Sequence, residues 1–234
     1  MKKRLKKLLI FLYFGALVLA IWGGEGGQKL LHYSSKPLLM PLLLGWYALI
    51  PNAFKKPRLF FSLGFTCGWL GDIFLMDTTG KYFLAGLASF LVGHLLYIAG
   101  FRYYIGGRSM GLLPKYTSLG VGLVFYVSVA AFLAPSFQSP PRNALLLPVL
   151  LYSLIICVMG WYAWYAWRLI GGLMVWAFLG AVLFLLSDFF IALHHYVLPK
   201  GLPLSDLFIL SLYGTGQFLI AKGTLVADNS LTNP

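Results

Sequence analysis

Acid is scarce in this sequence: six Asp and Glu stand against 18 Lys and Arg in 234 residues, and charged residues of both signs make up only 10%. A chain so poor in charge cannot coat a water-soluble domain, so water is not its main solvent. Cysteine is scarcer still. Cys67 and Cys157 both lie inside apolar runs, which excludes a disulfide framework and any cysteine-based metal spacing; they read as packing residues. The net charge of +12 would suit a nucleic-acid partner if it were gathered on one face. The basic residues are instead scattered between apolar runs, and no nucleic acid is expected.

What the chain has is hydrocarbon. Hydrophobic residues make up 60% and aromatics 17%, and mean hydropathy is +0.83. Runs of about 20 apolar residues suffice to cross a bilayer. Eight candidates fall at 8–22, 37–50, 59–76, 82–104, 114–134, 144–167, 171–196 and 203–222. The expected fold class is therefore all-α, a polytopic membrane protein whose eight-helix transmembrane bundle forms one integral membrane domain over 1–234. Counted from an inside start, 13 of the 18 Lys and Arg fall on one side, and only Lys29, Lys36, Lys81, Arg142 and Lys200 on the other. That split obeys the positive-inside rule with both termini cytoplasmic, as in a multi-pass protein of a bacterial inner membrane, and favours an even number of spans. The opening "MKKRLKKLLIFLYFGALVLAIWGG" has the basic start and apolar run of a signal peptide. It is expected to stay as the first helix, because seven spans follow and the run ends at Trp22 without a small-x-small cleavage site.

Short stretches recur in order. "GWYA" stands at Gly45 to Ala48 and at Gly160 to Ala163, an offset of 115; "LGDIFLM" from Leu70 resembles "LSDFFIA" from Leu186 at 116; "GHLLYIAG" from Gly93 resembles "GQFLIAKG" from Gly216 at 123 with one gap. A parallel duplication would relate spans one to four to spans five to eight by an axis along the membrane normal. Chance matches in so apolar a chain are the other reading. Duplication would make Asp72 and Asp188 equivalent, at one depth toward the outer side.

Those two aspartates are the residues that ask for an explanation. An ionisable side chain at the centre of a span costs roughly 2.5–3.5 kcal/mol on insertion scales, so each needs a partner or a task. Gly64, Gly68, Gly71 and Asp72 share one face of their helix, so small residues let a neighbour approach beside the carboxylate. Gly86, Gly93, Tyr97 and Gly100 share a face of the next span, bordered by His94, which can orient an aspartate or a water. Asp206, Tyr213 and Gln217 align on the last span; Tyr213 and Gln217 point inward, while Asp206 reads as a helix-capping carboxylate. Lys36, in "SSKPLLMP", falls at the positive end of the second span, where a cation either snorkels to headgroups or meets an anion such as phosphate. His194 and His195 end the seventh span and read as interfacial, since adjacent helical residues diverge by about 100° and no third metal ligand is spaced to them.

Taken together, "SKPLLMPLL", "GDIFLM", "GHLLY", "SDFFIAL" and "YGTGQFLIAKG" resemble, in order from Lys36 to Lys222, the YhhN family of multi-span proteins that includes the lysoplasmalogenases. The resemblance implies eight helices and a lysophospholipid substrate taken from the membrane lipids. It further implies hydrolysis of a lysoplasmalogen vinyl ether to a fatty aldehyde and a glycerophospho-ethanolamine or -choline, with Asp72 and Asp188 as the essential aspartates. The doubled His194–His195 is not what the family leads one to expect. The residues suit that chemistry on their own terms. A vinyl ether hydrolyses by protonation at carbon, attack of water on the oxocarbenium ion and collapse of the hemiacetal; glycosidases meet a similar cation with one carboxylic acid and one carboxylate. No cofactor and no metal are called for. Both carboxylates are expected to face one cavity, about 5–10 Å apart, with Lys36, His94, Tyr97, Tyr213 and Gln217 around the substrate. A proton- or cation-coupled transporter, or a lipid-binding membrane protein, is the alternative use of paired intramembrane aspartates, although their spans lack the central proline break of many transporters.

Overall fold

A computed structural model describes the backbone of residues 2–50, 55–140 and 142–232, and the side chains of these except at 55 and 226–232. Every regular element among them is helical, as suits a chain in lipid, where no water is at hand for an unpaired backbone group. The α-helices are α1 (Lys2–Glu25), α2 (Lys29–Ser35), α3 (Leu39–Leu49), α4 (Lys55–Leu75), α5 (Phe83–Ile105), α6 (Leu112–Leu133), α7 (Leu146–Ile170), α8 (Met174–Ala192) and α9 (Ser205–Thr232). Among the described residues six helical stretches are long and apolar enough to cross a membrane, those built on α1, α4, α5, α6, α7 and α8. The chain is an all-α polytopic membrane protein.

The second and eighth expected spans look different from the rest. Residues 29–49 are helical throughout but pass through a 3-10 turn at Lys36–Leu38, around Pro37, leaving α3 with only 11 residues. Helix therefore begins at Lys29, and Lys36 lies inside a helical run with its backbone N–H bonded to the carbonyl of His32. The helix-end argument for a cation at Lys36 does not hold. α9 is the more polar because it faces protein rather than lipid: it packs on α8, α1, α3 and α4, burying Tyr213, Gln217 and Thr224 beside Leu210 and Ile220. Its N-terminus is capped from elsewhere than expected. Glu25 Oε1, at the end of α1, accepts the Leu207 N–H at 2.9 Å, while Asp206 lies against Gly24.

α4 pairs with α5 and α8 with α9; α7 packs against both α5 and α8, and α1 against α3 and α9. α6 leans on α7 at the edge, and only 6% of its span is buried. Glycines let two helix pairs, α4 with α5 and α8 with α9, cross closely. A methyl group on Gly64 would meet the Gly93 carbonyl at 3.2 Å and one on Gly93 the Gly64 carbonyl at 3.1 Å; Gly180 and Gly216 face each other in the same way, at 2.5 and 2.9 Å. The offsets of 116 and 123 carry Gly64 onto Gly180 and Gly93 onto Gly216.

Candidate active site

Asp72 stands three residues before the end of α4, and Asp188 four before the end of α8, where the helix continues as the π turn Leu193–Val197. Gly64 and Gly71 face α5, where Tyr97 and Phe90 lie against them. Gly68 opens the space between Asp72 and α9: a methyl there would come within 3.4 Å of Gln217 Nε2 and 3.5 Å of the Tyr213 hydroxyl. Tyr213 uses that space to donate to Asp72 Oδ2 at 2.6 Å. Asp72 itself is only 5% exposed, with Lys36 within electrostatic reach. Trp69, one turn earlier on α4, donates its indole N–H to the Pro37 carbonyl at 2.9 Å and so ties the Lys36 turn to this helix.

Asp188 is held by a tyrosine that sequence reasoning did not single out. The Tyr152 hydroxyl, on α7, donates to Asp188 Oδ2, and His94 Nε2 lies 3.0 Å from the same hydroxyl. A phenol has one proton to give. With that proton on Asp188, Nε2 is the donor to Tyr152, the imidazole is the Nε2–H tautomer and Nδ1 is a bare acceptor. Among the described residues the buried Nδ1 has no hydrogen-bond partner, and His94 is 1% exposed. Phe184 meets its ring edge-on at 4.8 Å, and the Tyr213 ring at 5.2 Å, so one aromatic side chain separates the Asp72–Tyr213 pair from the Asp188–Tyr152–His94 chain. Asp72 and Asp188 are within electrostatic reach of each other. Tyr97 donates to Gln217 Oε1 at 2.8 Å, closing the polar interior between α5 and α9.

Tyr152 had a signal after all. The offset of 116 that relates the aspartates also relates Lys36 to Tyr152, and the offset of 123 relates Phe90 to Tyr213 and His94 to Gln217.

An apolar cleft runs between α5, α6, α7 and α8, lined by Phe90, Val129, Ile156 and Leu185, with Tyr152 and Asp188 as polar points on its wall. Of its described lining residues Asp188 is the one carboxylate; Asp72 is not among them and is bonded to Tyr213, whose ring packs against Phe90. This differs from the expectation that both carboxylates face one cavity: only Asp188 lines this cleft, and Phe90 and Phe184 pack on Tyr213, the partner of Asp72. His194 and His195 lie beyond the cleft on a π-helical turn, Leu193–Val197, and His94 is apart from them on α5. Among the described residues no three His, Cys, Asp or Glu side chains come together as metal ligands.

A model of the YhhN family matches residues 31–224. The lysoplasmalogenase TMEM86A of Bos taurus is 35% identical over 182 residues, covering 76% of this chain and 68% of its own length. The lysoplasmalogenase TMEM86A of Homo sapiens is 32% identical over 182 residues, with the same coverage. No solved structure matches the chain.

Proposed function

The chain belongs to the YhhN family, and from that premise we propose that it is a membrane-embedded lysoplasmalogenase in which Asp188 delivers the proton and Asp72 is the supporting carboxylate. The observation that carries the role of Asp188 is its place on the wall of an apolar cleft, where the alkenyl chain of a lysolipid would lie beside it. The Asp188 carboxyl gives its proton to the alkene carbon remote from oxygen, leaving an oxocarbenium ion. Water adds to the carbon next to oxygen and returns a proton to the carboxylate. The hemiacetal collapses to a fatty aldehyde and the free hydroxyl of the glycerophospho headgroup, so one water is consumed and no net proton. Asp72, with Lys36 and Tyr213 beside it, supplies fixed negative charge near the cation without touching the chain.

Tyr152 orients Asp188, and His94 in turn holds the Tyr152 hydroxyl. Tyr213, Tyr97 and Gln217 hold the inner wall in place. Lys36, expected at the substrate phosphate, is read here as the cation that faces Asp72. The same reading takes the bundle as eight spans from a duplicated four-helix unit, supported by the corresponding glycine crossings, with both termini cytoplasmic in a cell membrane. The decisive measurement incubates purified protein with a lysoplasmalogen and, separately, with the acyl lysolipid of the same headgroup. Aldehyde from the first and no fatty acid from the second is the expected result. Fatty acid from the second, or proton-coupled flux in liposomes without aldehyde, would end the reading.

A further inference from the structure

Past Asp188 the chain does something uncommon for a membrane helix. α8 widens into the π turn Leu193–Val197, and the segment that leaves it bends back through Gly201 at φ +70°. His194 fastens this return: its Nδ1 accepts the Leu202 N–H at 2.9 Å, and its ring lies over Gly201, where a methyl would come within 2.9 Å of Cε1. π turns are rare and gather at functional sites. This one shapes a concave pocket of about 540 Å³ whose wall includes Arg142, His194, His195, Tyr196 and Lys200 and contains no acidic residue.

Three facts set this pocket apart from a solvated basic rim. Only five of the 18 Lys and Arg lie on the side that the charge pattern leaves poor, yet two of those five, Arg142 and Lys200, line this one pocket together with the adjacent histidines. Tyr196 lines both the pocket and the apolar cleft, braced by Phe137 at 4.7 Å and Phe83 at 6.2 Å, so the pocket is the polar mouth of the cleft. The distance also fits: His195 follows Asp188 by two helical turns, an axial rise of about 10 Å. In an extended lysolipid about seven bonds separate the alkene carbon from phosphorus, roughly 8 Å at the advance per bond of an extended chain.

We propose that Arg142, Lys200 and His195 form the subsite that binds the phosphate of the lysolipid substrate while its chain lies in the cleft at Asp188. Arginine supplies the paired donors that suit a phosphate, and Lys200 a movable point charge. The assignment rests on the lysoplasmalogenase reading. The test compares an alkenyl glycerophosphoethanolamine with the same alkenylglycerol lacking phosphate, for the wild type, Arg142→Gln/Lys200→Gln and His195→Gln. Losing charge-assisted contacts should reduce the wild-type preference for the phosphate-bearing substrate, as the ratio of kcat/KM values, by roughly ten- to a hundredfold in the double variant, mainly through KM. Inorganic phosphate is the second arm. Competition with the lipid shows that the pocket takes the free anion too, and its absence that it takes phosphate only on a lipid; both uphold the subsite. A ratio within about twofold of wild type in the double variant overturns it. If the wild type releases no aldehyde, the hydrolase reading falls, and the subsite is then judged by binding of acyl lysophosphatidylethanolamine against monoacylglycerol. Loss of that discrimination in the double variant sustains it, and unchanged discrimination refutes it.

Discussion

Removing the Tyr152 hydroxyl puts the Asp188 assembly to its hardest test. Tyr152→Phe keeps the ring in its packing against His94, whose centroid lies 5.4 Å away, but deletes the oxygen that donates to Asp188 and receives from His94 Nε2. Two losses follow. Asp188 loses the donor that orients it and that holds the carboxylate forming as its proton leaves, an interaction worth about 1.5–3 kcal/mol once one partner is charged, which corresponds to roughly a ten- to hundredfold fall in kcat. His94, already buried with Nδ1 unpartnered, is left with Nε2 unpartnered as well, at a further cost of about 1–3 kcal/mol in stability. The second loss has a cure and the first does not. Changing His94 to Leu in the Tyr152→Phe background removes the orphaned donor, so the double variant should recover much of the stability but none of the turnover. Aldehyde release and a denaturant titration in detergent, run on the four proteins of the cycle, separate the two effects. If Tyr152→Phe turns over within about twofold of wild type, or the double variant is as unstable as the two losses added, the hydroxyl does not link His94 to Asp188 as described.

Three further outcomes are expected. Asp188→Asn and Asp72→Asn should each nearly abolish aldehyde release while the protein still binds lysolipid, and the pair together should be little worse than Asp188→Asn alone, since groups acting as one unit are not additive; additive losses would mean two independent roles. Lys36→Met should lower kcat more than it raises KM, as befits a cation facing Asp72 rather than the substrate; a pure KM effect would return Lys36 to the phosphate. Gly180→Ala drives a methyl to 2.5 Å from the Gly216 carbonyl, whereas the same change at Gly15 meets nothing within 4 Å, so the first should cost about 1–3 kcal/mol more in unfolding experiments, and equal stabilities would show that α8 and α9 can part freely.

The sequence revealed the aspartates because a charge inside an apolar run is expensive and cannot be mistaken for filler. It revealed Tyr213 and Gln217 because helical spacing carries over from chain to bundle. It could not reveal Tyr152 by the same means, since a tyrosine in a membrane helix needs no special reason. The 3-10 turn at Lys36 and the π turn at His194 escape period-based reading, because both are local departures from the 3.6-residue repeat on which that reading depends. The Glu25 cap on α9 joins residues 182 apart, a contact that exists only once α1 and α9 are packed side by side.

The loose seating of α6 has a consequence for traffic. A cleft walled on one side by a helix so little buried in the bundle can admit a chain sideways from the bilayer, without drawing that chain through water. After cleavage the two fragments have opposite solubilities: the aldehyde dissolves in the hydrocarbon beside α6, and the glycerophospho fragment dissolves in water beyond the π turn. Each departs through a different exit, and the bilayer itself sorts the products.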